Sequence, residues 1–228
     1  MTSPAQLSRV NFVNIELARK FCRKIVSWVK LLRELKIKSH LDFGCGDGHF
    51  THYMSLSLPE VNFLGYDASE DLVLKARRKY ENDNLGFISY LNGDLFDSAS
   101  CCFVIHETET REVLDSISGV LREKGLLMVL DYNMINIGVQ EFNERFCCQR
   151  ELQEIQRIGF EQAYRIHTAK GIDDFIDLAE NSGFQTEGAR AFSNGHFVWI
   201  GTKKDYGPIG NRTRTSTMPW SRHESIRL

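Results

Sequence analysis

Apolar and polar residues alternate along most of the chain in a way that predicts strands separated by helices. Short apolar runs predict seven strands, at residues 39–43, 62–67, 87–92, 101–105, 126–131, 186–192 and 196–202. Apolar residues at helical spacing predict helices over residues 50–58, 71–80, 109–122 and 172–180. Such an order predicts an α/β fold: a mostly parallel sheet with helices on both faces. A hairpin through Ser193-Asn194-Gly195 predicts that the last strand is antiparallel.

Four residues indicate where helices begin or end. Ser69 is a typical N-cap for the helix over 71–80, and Asp71 suits its first turn. Gly125 and Gly183 follow two later helices, where glycine is the usual residue after the C-cap.

Three segments depart from this alternation. Apolar residues at helical spacing over 15–36 predict a helix before the first strand, so residues 1–37 form an N-terminal helical segment ahead of a domain at 38–204. Residues 133–170 mix polar and aromatic positions and are interpreted as an insert. From residue 205 to 228 the apolar pattern stops, which predicts a flexible basic tail. A basic arm that touches RNA or anionic lipid is the alternative for this tail.

Charge and cysteine usage limit the classes of function. The net charge of −2 divides into +4 from residue 203 onward and −6 before it, which argues against a nucleic-acid surface on the domain. No apolar run approaches the roughly 20 residues that span a bilayer. The six cysteines include two adjacent pairs and no C-x-x-C spacing, so reduced thiols and a cytoplasmic location are expected.

The segment that carries the most chemistry follows the first predicted strand. It reads Leu41-Asp42-Phe43-Gly44-Cys45-Gly46-Asp47-Gly48, with glycines at alternate positions before a helix. Glycines allow backbone N–H groups to approach a ligand closely while the chain turns sharply. Asp67 closes the second strand, where a carboxylate can accept both hydroxyls of a ribose. The dinucleotide pattern G-x-G-x-x-G fits less well, because its third glycine would fall on His49.

These residues resemble the motifs of the class I, Rossmann-like methyltransferases that depend on S-adenosylmethionine (SAM). The resemblance covers roughly residues 38–204 and implies SAM as the cofactor. It implies that the glycine loop holds the methionine part, that Asp67 binds the ribose and that Asp94, in Asn92-Gly93-Asp94-Leu95, meets the adenine. It also implies that the N-terminal helix covers the crevice and that the insert binds the methyl acceptor. The cofactor-binding residues expected on this basis are Asp42, Gly44, Cys45, Gly46, Gly48, Asp67, Ala68, Asp94 and Leu95.

Candidates for the acceptor side follow the fourth and fifth predicted strands. His106 has an ordinary pKa near ~6.5 and is the candidate catalytic base. Packing beside the adenosine, or a hydrogen bond to a loop, is the alternative for this side chain. Glu107, Tyr132 and Asn133 are expected in the acceptor pocket. Asp131 with Asn133 could suggest a divalent metal, but strand four supplies no matching aspartate, so no metal is expected.

The sequence therefore favours a SAM-dependent methyltransferase that acts on a small or medium-sized organic acceptor. Neither the N/D-P-P-Y motif of enzymes acting on nucleobase amino groups nor the cysteine signature of cytosine-C5 enzymes is present. A methyltransferase for protein or RNA and a non-catalytic SAM-binding regulatory or scaffold protein are the alternatives. The pattern assigns neither the acceptor atom nor an oligomeric state.

Overall fold

Seven strands form one sheet in the computed structural model, which describes residues 27–146, 149–192 and 195–205. The strands are β1 (Ser39–Phe43), β2 (Asn62–Tyr66), β3 (Leu85–Ile88), β4 (Phe96–Cys102), β5 (Leu121–Tyr132), β6 (Phe184–Phe192) and β7 (His196–Lys203). Their order is β3-β2-β1-β4-β5-β7-β6. The strands from β3 to β5 pair in parallel, and β7 runs antiparallel to both of its neighbours. The predicted Rossmann-like fold with an antiparallel last strand is confirmed.

Helices connect most of these strands. Residues 27–34 are helical and are named α1. The other helices are α2 (His49–Ser57), α3 (Glu70–Lys79), α4 (Thr110–Val120), α5 (Val139–Arg145), α6 (Gln149–Ile158), α7 (Phe160–Thr168) and α8 (Ile172–Asn181). A 3₁₀ turn over Ile105–Glu107 lies between β4 and α4. The N-cap prediction for α3 is confirmed, since the Ser69 side chain accepts a hydrogen bond from the backbone N–H of Leu72.

Each face of the sheet has its own apolar core. On one face α1 and α2 bury Trp28 and Met54 against alternate residues of β5 and β7, such as Met128. On the other face α4 and α8 bury Leu114 and Phe175 against the intervening residues of the same strands. The sheet is thus covered on both sides, and its strand ends remain as the edges where ligands bind in this type of fold.

The predicted insert region contains α5, α6 and α7, which have a small core of their own. Phe142, Phe146 and Ala163 are buried there together with Met134, which follows β5. This cluster is distinct from the two sheet cores, although Tyr132 at the end of β5 packs against it. The insert therefore rests on the carboxyl end of β5.

Three strand predictions and one helix end were wrong. Strand four runs over Phe96–Cys102 rather than 101–105, and strand three over Leu85–Ile88 rather than 87–92. Strand five begins at Leu121 rather than at 126. Helix α4 ends at Val120 and β5 begins at once, so Gly125 is not its cap. Gly183 does follow α8 with φ of 87°, as predicted for a residue after a C-cap.

Several predictions concern residues outside the described ranges. They include most of the N-terminal segment at 1–37, nearly all of the tail at 205–228, the Ser193-Asn194 turn and three of the six cysteines. The described cysteines, Cys45, Cys101 and Cys102, are free thiols. Within the described ranges, none of the helices has the length and apolar character that a membrane span requires.

Candidate functional site

The loop between β1 and α2 adopts a backbone conformation that requires glycine. Gly44, Gly46 and Gly48 have φ of 77°, 56° and 78°, in the left-handed region that other residues rarely adopt. A Cβ at Gly44 would lie 2.3 Å from Val104 Cγ2, and one at Gly48 would lie 2.6 Å from the ring of Phe87. Apart from the chain neighbours of Gly46, no described residue has an atom within 4 Å of a Cβ at this position. The backbone at Gly46 therefore faces open space, while the other two glycines are packed against the protein.

Asp67 connects this loop to the end of β2. Its Oδ2 accepts a hydrogen bond from the Gly46 N–H at 2.8 Å, and its Oδ1 accepts one from the Ser69 N–H at 2.9 Å. Because a carboxylate offers about four acceptor positions, both oxygens keep capacity for a ligand. Asp67 thus fixes the open part of the loop, and Ala68 is exposed beside it.

Asp42 supports the loop from within the sheet. The side chain is 2% exposed and accepts hydrogen bonds from Thr51 Oγ1 at 2.6 Å and Ser100 Oγ at 2.9 Å. Burial raises the pKa of Asp42 to about 6, although both hydroxyl hydrogen bonds act to lower it. The network continues to His40, whose ring nitrogens lie 2.9 Å from Ser100 Oγ and 2.8 Å from Ser98 Oγ. Asp42 contributes to the crevice through this network rather than by facing it.

Two other predicted cofactor contacts have different positions from those expected. Asp94 and Leu95 come directly before β4, and the pairing of His40 with Ser98 places the start of β4 at the amino edge of the sheet. The glycine loop follows β1 at the opposite, carboxyl edge. Asp94 and Leu95 therefore do not lie in the crevice, which corrects their assignment to the adenine.

Cys45 lies within the glycine loop but does not have the character of a nucleophile. It is 8% exposed, and burial raises the pKa of its thiol well above the usual range, as do Asp42 and Asp67. Reactive cysteines have a lowered pKa, because the thiolate is the nucleophile. Cys45 is instead a small filler, whose Sγ lies 2.9 Å from the position of a Cβ at Gly65.

His106 lies on the 3₁₀ turn after β4 and is held by Asp131 at the end of β5. Its Nδ1 is 2.6 Å from Asp131 Oδ1, and its Nε2 is 3.3 Å from Glu107 Oε1. Burial lowers the pKa of His106, but the charges and hydrogen bonds of Asp131 and Glu107 outweigh burial and raise that pKa to about 9. An imidazole that is protonated at neutral pH does not suit the predicted role of general base.

Aromatic rings adjoin His106 along the carboxyl edge. The ring centroid of Tyr132 lies 4.8 Å from that of His106, and Phe103 lies 5.2 Å from Tyr132. His196 is 5.3 Å from Phe103 and 5.2 Å from Tyr132, so the four rings form a cluster at the ends of β4, β5 and β7, which we call the aromatic cluster. Phe103 has φ of 58°, and non-glycine residues in this conformation are concentrated at functional sites.

The insert contributes polar groups to the same place. His167 on α7 lies 4.5 Å from His106, ring centroid to centroid, and Glu151 on α6 accepts a hydrogen bond from Tyr132 Oη at 3.2 Å. Burial lowers the pKa of His167 to about 4, so its ring is neutral. Sequence reasoning missed Phe103, His167 and Glu151, because nothing in their local pattern distinguishes them from ordinary core positions. The predicted pocket residue Asn133 contacts the start of α8, because its Oδ1 accepts a hydrogen bond from the N–H of Ile172.

The described residues hold no group of three or more His, Cys, Asp or Glu side chains arranged for a metal ion. The candidate site consists of two parts at the carboxyl edge of the sheet. One is the glycine loop with Asp67, which we call the cofactor crevice. The other is the group around His106, Glu107 and the aromatic cluster, which we call the β4–β5 rim.

Comparison with known proteins shows what this part of the chain is similar to. Residues 41–127, which contain the cofactor crevice, match a protein family described as a methyltransferase domain. The match covers less than half of the chain, and over those residues the chain is similar to methyltransferase domains. The match ends within β5, so it includes Glu107 but neither the insert nor the last two strands.

Solved methyltransferase structures share the fold over most of the chain. Magnesium protoporphyrin IX methyltransferase from Synechocystis PCC 6803, which contains bound S-adenosylhomocysteine (SAH), has a TM-score of 0.60 and 16% identity. That likeness covers 86% of this chain and 90% of the other. The plantazolicin methyltransferase BpumL, in complex with a substrate analogue and SAH, has a TM-score of 0.58 and 16% identity, covering 78% of this chain and 81% of the other. At these identities the likeness establishes the fold.

Relatives found by sequence match a shorter part of the chain. A tRNA (guanine-N(7)-)-methyltransferase from Microcystis aeruginosa is 31% identical over 68 residues, 30% of this chain and 32% of the relative. A malonyl-[acyl-carrier protein] O-methyltransferase from Coxiella burnetii is 31% identical over 74 residues, 32% of this chain and 29% of the relative. The chain thus spans about a third of the length of these relatives.

Proposed function

We propose that this protein transfers the methyl group of SAM to a small or medium-sized organic acceptor. The observation that carries the proposal is the cofactor crevice. Asp67 holds the backbone of Gly46 in place at the carboxyl edge of β1 and β2, and a side chain at position 46 would fill the open space beside it. Open α/β sheets bind their ligands at this edge.

The residues of the crevice fit SAM. The backbone of the glycine loop would hold the methionine part, and Asp67 would accept the ribose hydroxyls with the lone pairs that Gly46 and Ser69 do not use. SAM supplies an electrophilic methyl group. The main task of the protein is then to place the acceptor atom in line at about 3 Å, since positioning accounts for most of the acceleration.

The acceptor would bind at the β4–β5 rim, beneath the insert. Val104 packs against Gly44 of the glycine loop, and His106 follows Val104 closely in the chain. The β4–β5 rim therefore adjoins the cofactor crevice. The acidic charge of residues 1–202 disfavours a polyanion such as RNA. The tRNA methyltransferase relatives do not outweigh this argument, because their likeness is confined to a short segment. Free thiols at the described cysteines agree with a cytoplasmic protein.

Calorimetric titration with SAH, with NADH as the control ligand, tests the proposal. We expect SAH to bind and NADH to fail. Asp67→Ala should weaken SAH binding by about 10- to 100-fold, the scale of a lost charge-assisted hydrogen bond. Asp71→Ala, which removes an exposed carboxylate from the adjacent helix α3, should leave the affinity unchanged. A protein that is folded but does not bind SAH at high micromolar concentration would contradict the proposal.

A further inference from the structure

His167 lies where helix α7 of the insert meets the sheet. Its side chain is 1% exposed, and α7 packs against the 3₁₀ turn that carries His106. The ring centroid of His167 lies 4.5 Å from that of His106 and 4.6 Å from that of Tyr132. Because the core of the insert is distinct from the two sheet cores, these ring contacts are part of what joins α7 to the β4–β5 rim.

The hydrogen bonding of His167 defines a neutral ring with one open nitrogen. Its Nδ1 lies 2.8 Å from the carbonyl oxygen of Ala163, which can only accept, so Nδ1 carries the hydrogen. Nε2 therefore has the lone pair, and among the described residues it has no hydrogen-bond partner. Glu154 Oε2 faces it at 3.6 Å, which is too long for a hydrogen bond. A proton added at Nε2 would thus create a cation inside this contact.

A charged ring already lies on the other side of the contact. The side chain of His106 is 6% exposed, and its ring nitrogens lie 2.6 Å from Asp131 Oδ1 and 3.3 Å from Glu107 Oε1. Although burial lowers the pKa of His106, Asp131 and Glu107 raise it to about 9, so this ring is protonated at neutral pH. Like charges at short range disfavour each other. Protonation of His167 would place two imidazolium rings against one another.

The groups around His167 oppose one another in their effect on its protonation. Titratable side chains on the 3₁₀ turn, β5 and α6 adjoin α7: His106, Glu107, Asp131, Tyr132, Glu151 and Glu154. Burial, and then the charge of His106, lower the pKa of His167 to about 4, against the raising effects of Asp131 and Glu107. A histidine in solvent titrates near ~6.5. His167 therefore takes up a proton more readily when α7 has moved away from the rim.

We propose that the contact between His106 and His167 is an acid-sensitive latch, in which proton uptake at His167 Nε2 releases α7 from the β4–β5 rim. The proton comes from solvent. His106 stays on its turn, because Asp131 also accepts the backbone N–H groups of Val104 and Ile105 at 3.1 and 2.7 Å. The insert is thus the part that moves. That its release uncovers the place of the methyl acceptor rests on the proposed function, whereas the latch itself does not.

Hydrogen exchange followed by mass spectrometry tests the latch in the full-length protein. Protection factors, which correct for the intrinsic effect of pH on exchange, are compared for peptides of α7 at about pH 7.5 and about pH 5. We expect the protection of α7 to fall at least about tenfold at the lower pH, because opening is then coupled to proton uptake. Protection of the sheet strands should change less.

Three variants identify the residue responsible. His167→Phe keeps a ring of similar size but cannot take up a proton, so the pH dependence of α7 protection should disappear. His106→Gln removes the neighbouring charge and should reduce that dependence without abolishing it, because burial of His167 remains. His49→Gln changes an exposed histidine on α2 and is the matched control, which should behave like the unmodified protein.

The outcomes separate the latch from the proposed function. Equal protection of α7 at both pH values, an equal loss in α7 and the sheet, or a loss that persists in His167→Phe would each overturn the latch. If His167→Phe does not fold, titration of His167 by NMR in the unmodified protein decides, and a pKa at or above ~6.5 would overturn it. Failure of SAH to bind would instead refute the methyltransferase proposal and leave the latch unaffected.

Discussion

The glycines of the cofactor crevice have different surroundings, and these predict different consequences of substitution. Gly46→Ala adds a methyl group in open space, so its cost to folding is the roughly 1–2 kcal/mol of a left-handed conformation. The same methyl group would occupy the space proposed for the cofactor. We expect a small loss of thermal stability and at least a tenfold loss of SAH affinity, measured by melting and by calorimetry.

Gly48→Ala provides the contrasting variant. Its new Cβ would lie 2.6 Å from the Phe87 ring and 2.8 Å from the Ala76 side chain. Overpacking of this kind costs about 1–3 kcal/mol in addition to the backbone strain. Gly48→Ala should therefore lower the melting temperature more than Gly46→Ala does. If the two variants lose stability equally, the distinction between an open and a packed glycine is wrong.

At the scale of whole elements, the accuracy of sequence-based prediction depended on whether buried positions are apolar. Strand β1 was predicted to the residue, because it is a short apolar run followed by glycine. Strand β4 was predicted to begin too late in the sequence, because serines such as Ser98 and Ser100 are typical of exposed positions. Both are fully buried and form hydrogen bonds with His40. Buried polar side chains in a sheet form their hydrogen bonds with residues on neighbouring strands. The sequence of one strand therefore does not show that its serines are buried.

The candidate site was predictable to a similar extent. The glycine loop and Asp67 were found, because the local backbone requires particular residue types there. The aromatic cluster and the contact between His106 and His167 depend on how β4, β5, β7 and the insert come together. No spacing within one segment encodes that arrangement. The protonation of His106 depends on Asp131, 25 residues away, so its role as a base could not be judged from the sequence.

The insert is the element whose stability should be separable from that of the sheet. Phe142 is 0% exposed within the small cluster formed by α5 and α7, and Phe142→Ala removes about 3–5 kcal/mol of packing there. We expect proteases to cleave residues 133–170 faster while SAH affinity is maintained, because the cofactor crevice lies on other elements. Leu114→Ala in the core of the sheet is the control and should lower global stability instead. Loss of SAH binding in Phe142→Ala would show that the insert and the crevice are coupled.

For the molecule as a whole, buried titratable groups predict how stability depends on pH. Burial lowers the pKa of His40 to about 3, so between pH 3 and 6.5 the unfolded state binds more protons and stability falls as pH falls. Asp42 has the opposite effect between pH 3.8 and 6: its pKa is raised, so the folded state binds more protons there and stability rises as pH falls. The sheet interior thus titrates mainly on the acid side of neutrality.

The β4–β5 rim titrates on the alkaline side. Although burial alone would lower it, the pKa of His106 is raised from 6.5 to about 9 by Asp131 and Glu107, so the folded state binds the extra proton in this window. The stabilisation is fully present below pH 6.5 and is lost as pH rises through about 9. Urea unfolding at a series of pH values should show a decline on the order of 1–3 kcal/mol across that window. His106→Gln should be less stable at neutral pH and should flatten the alkaline limb, while His40→Gln should leave that limb unchanged. An alkaline limb that persists in His106→Gln would mean that another group produces it and that Asp131 and Glu107 do not raise the pKa of His106 in the folded protein.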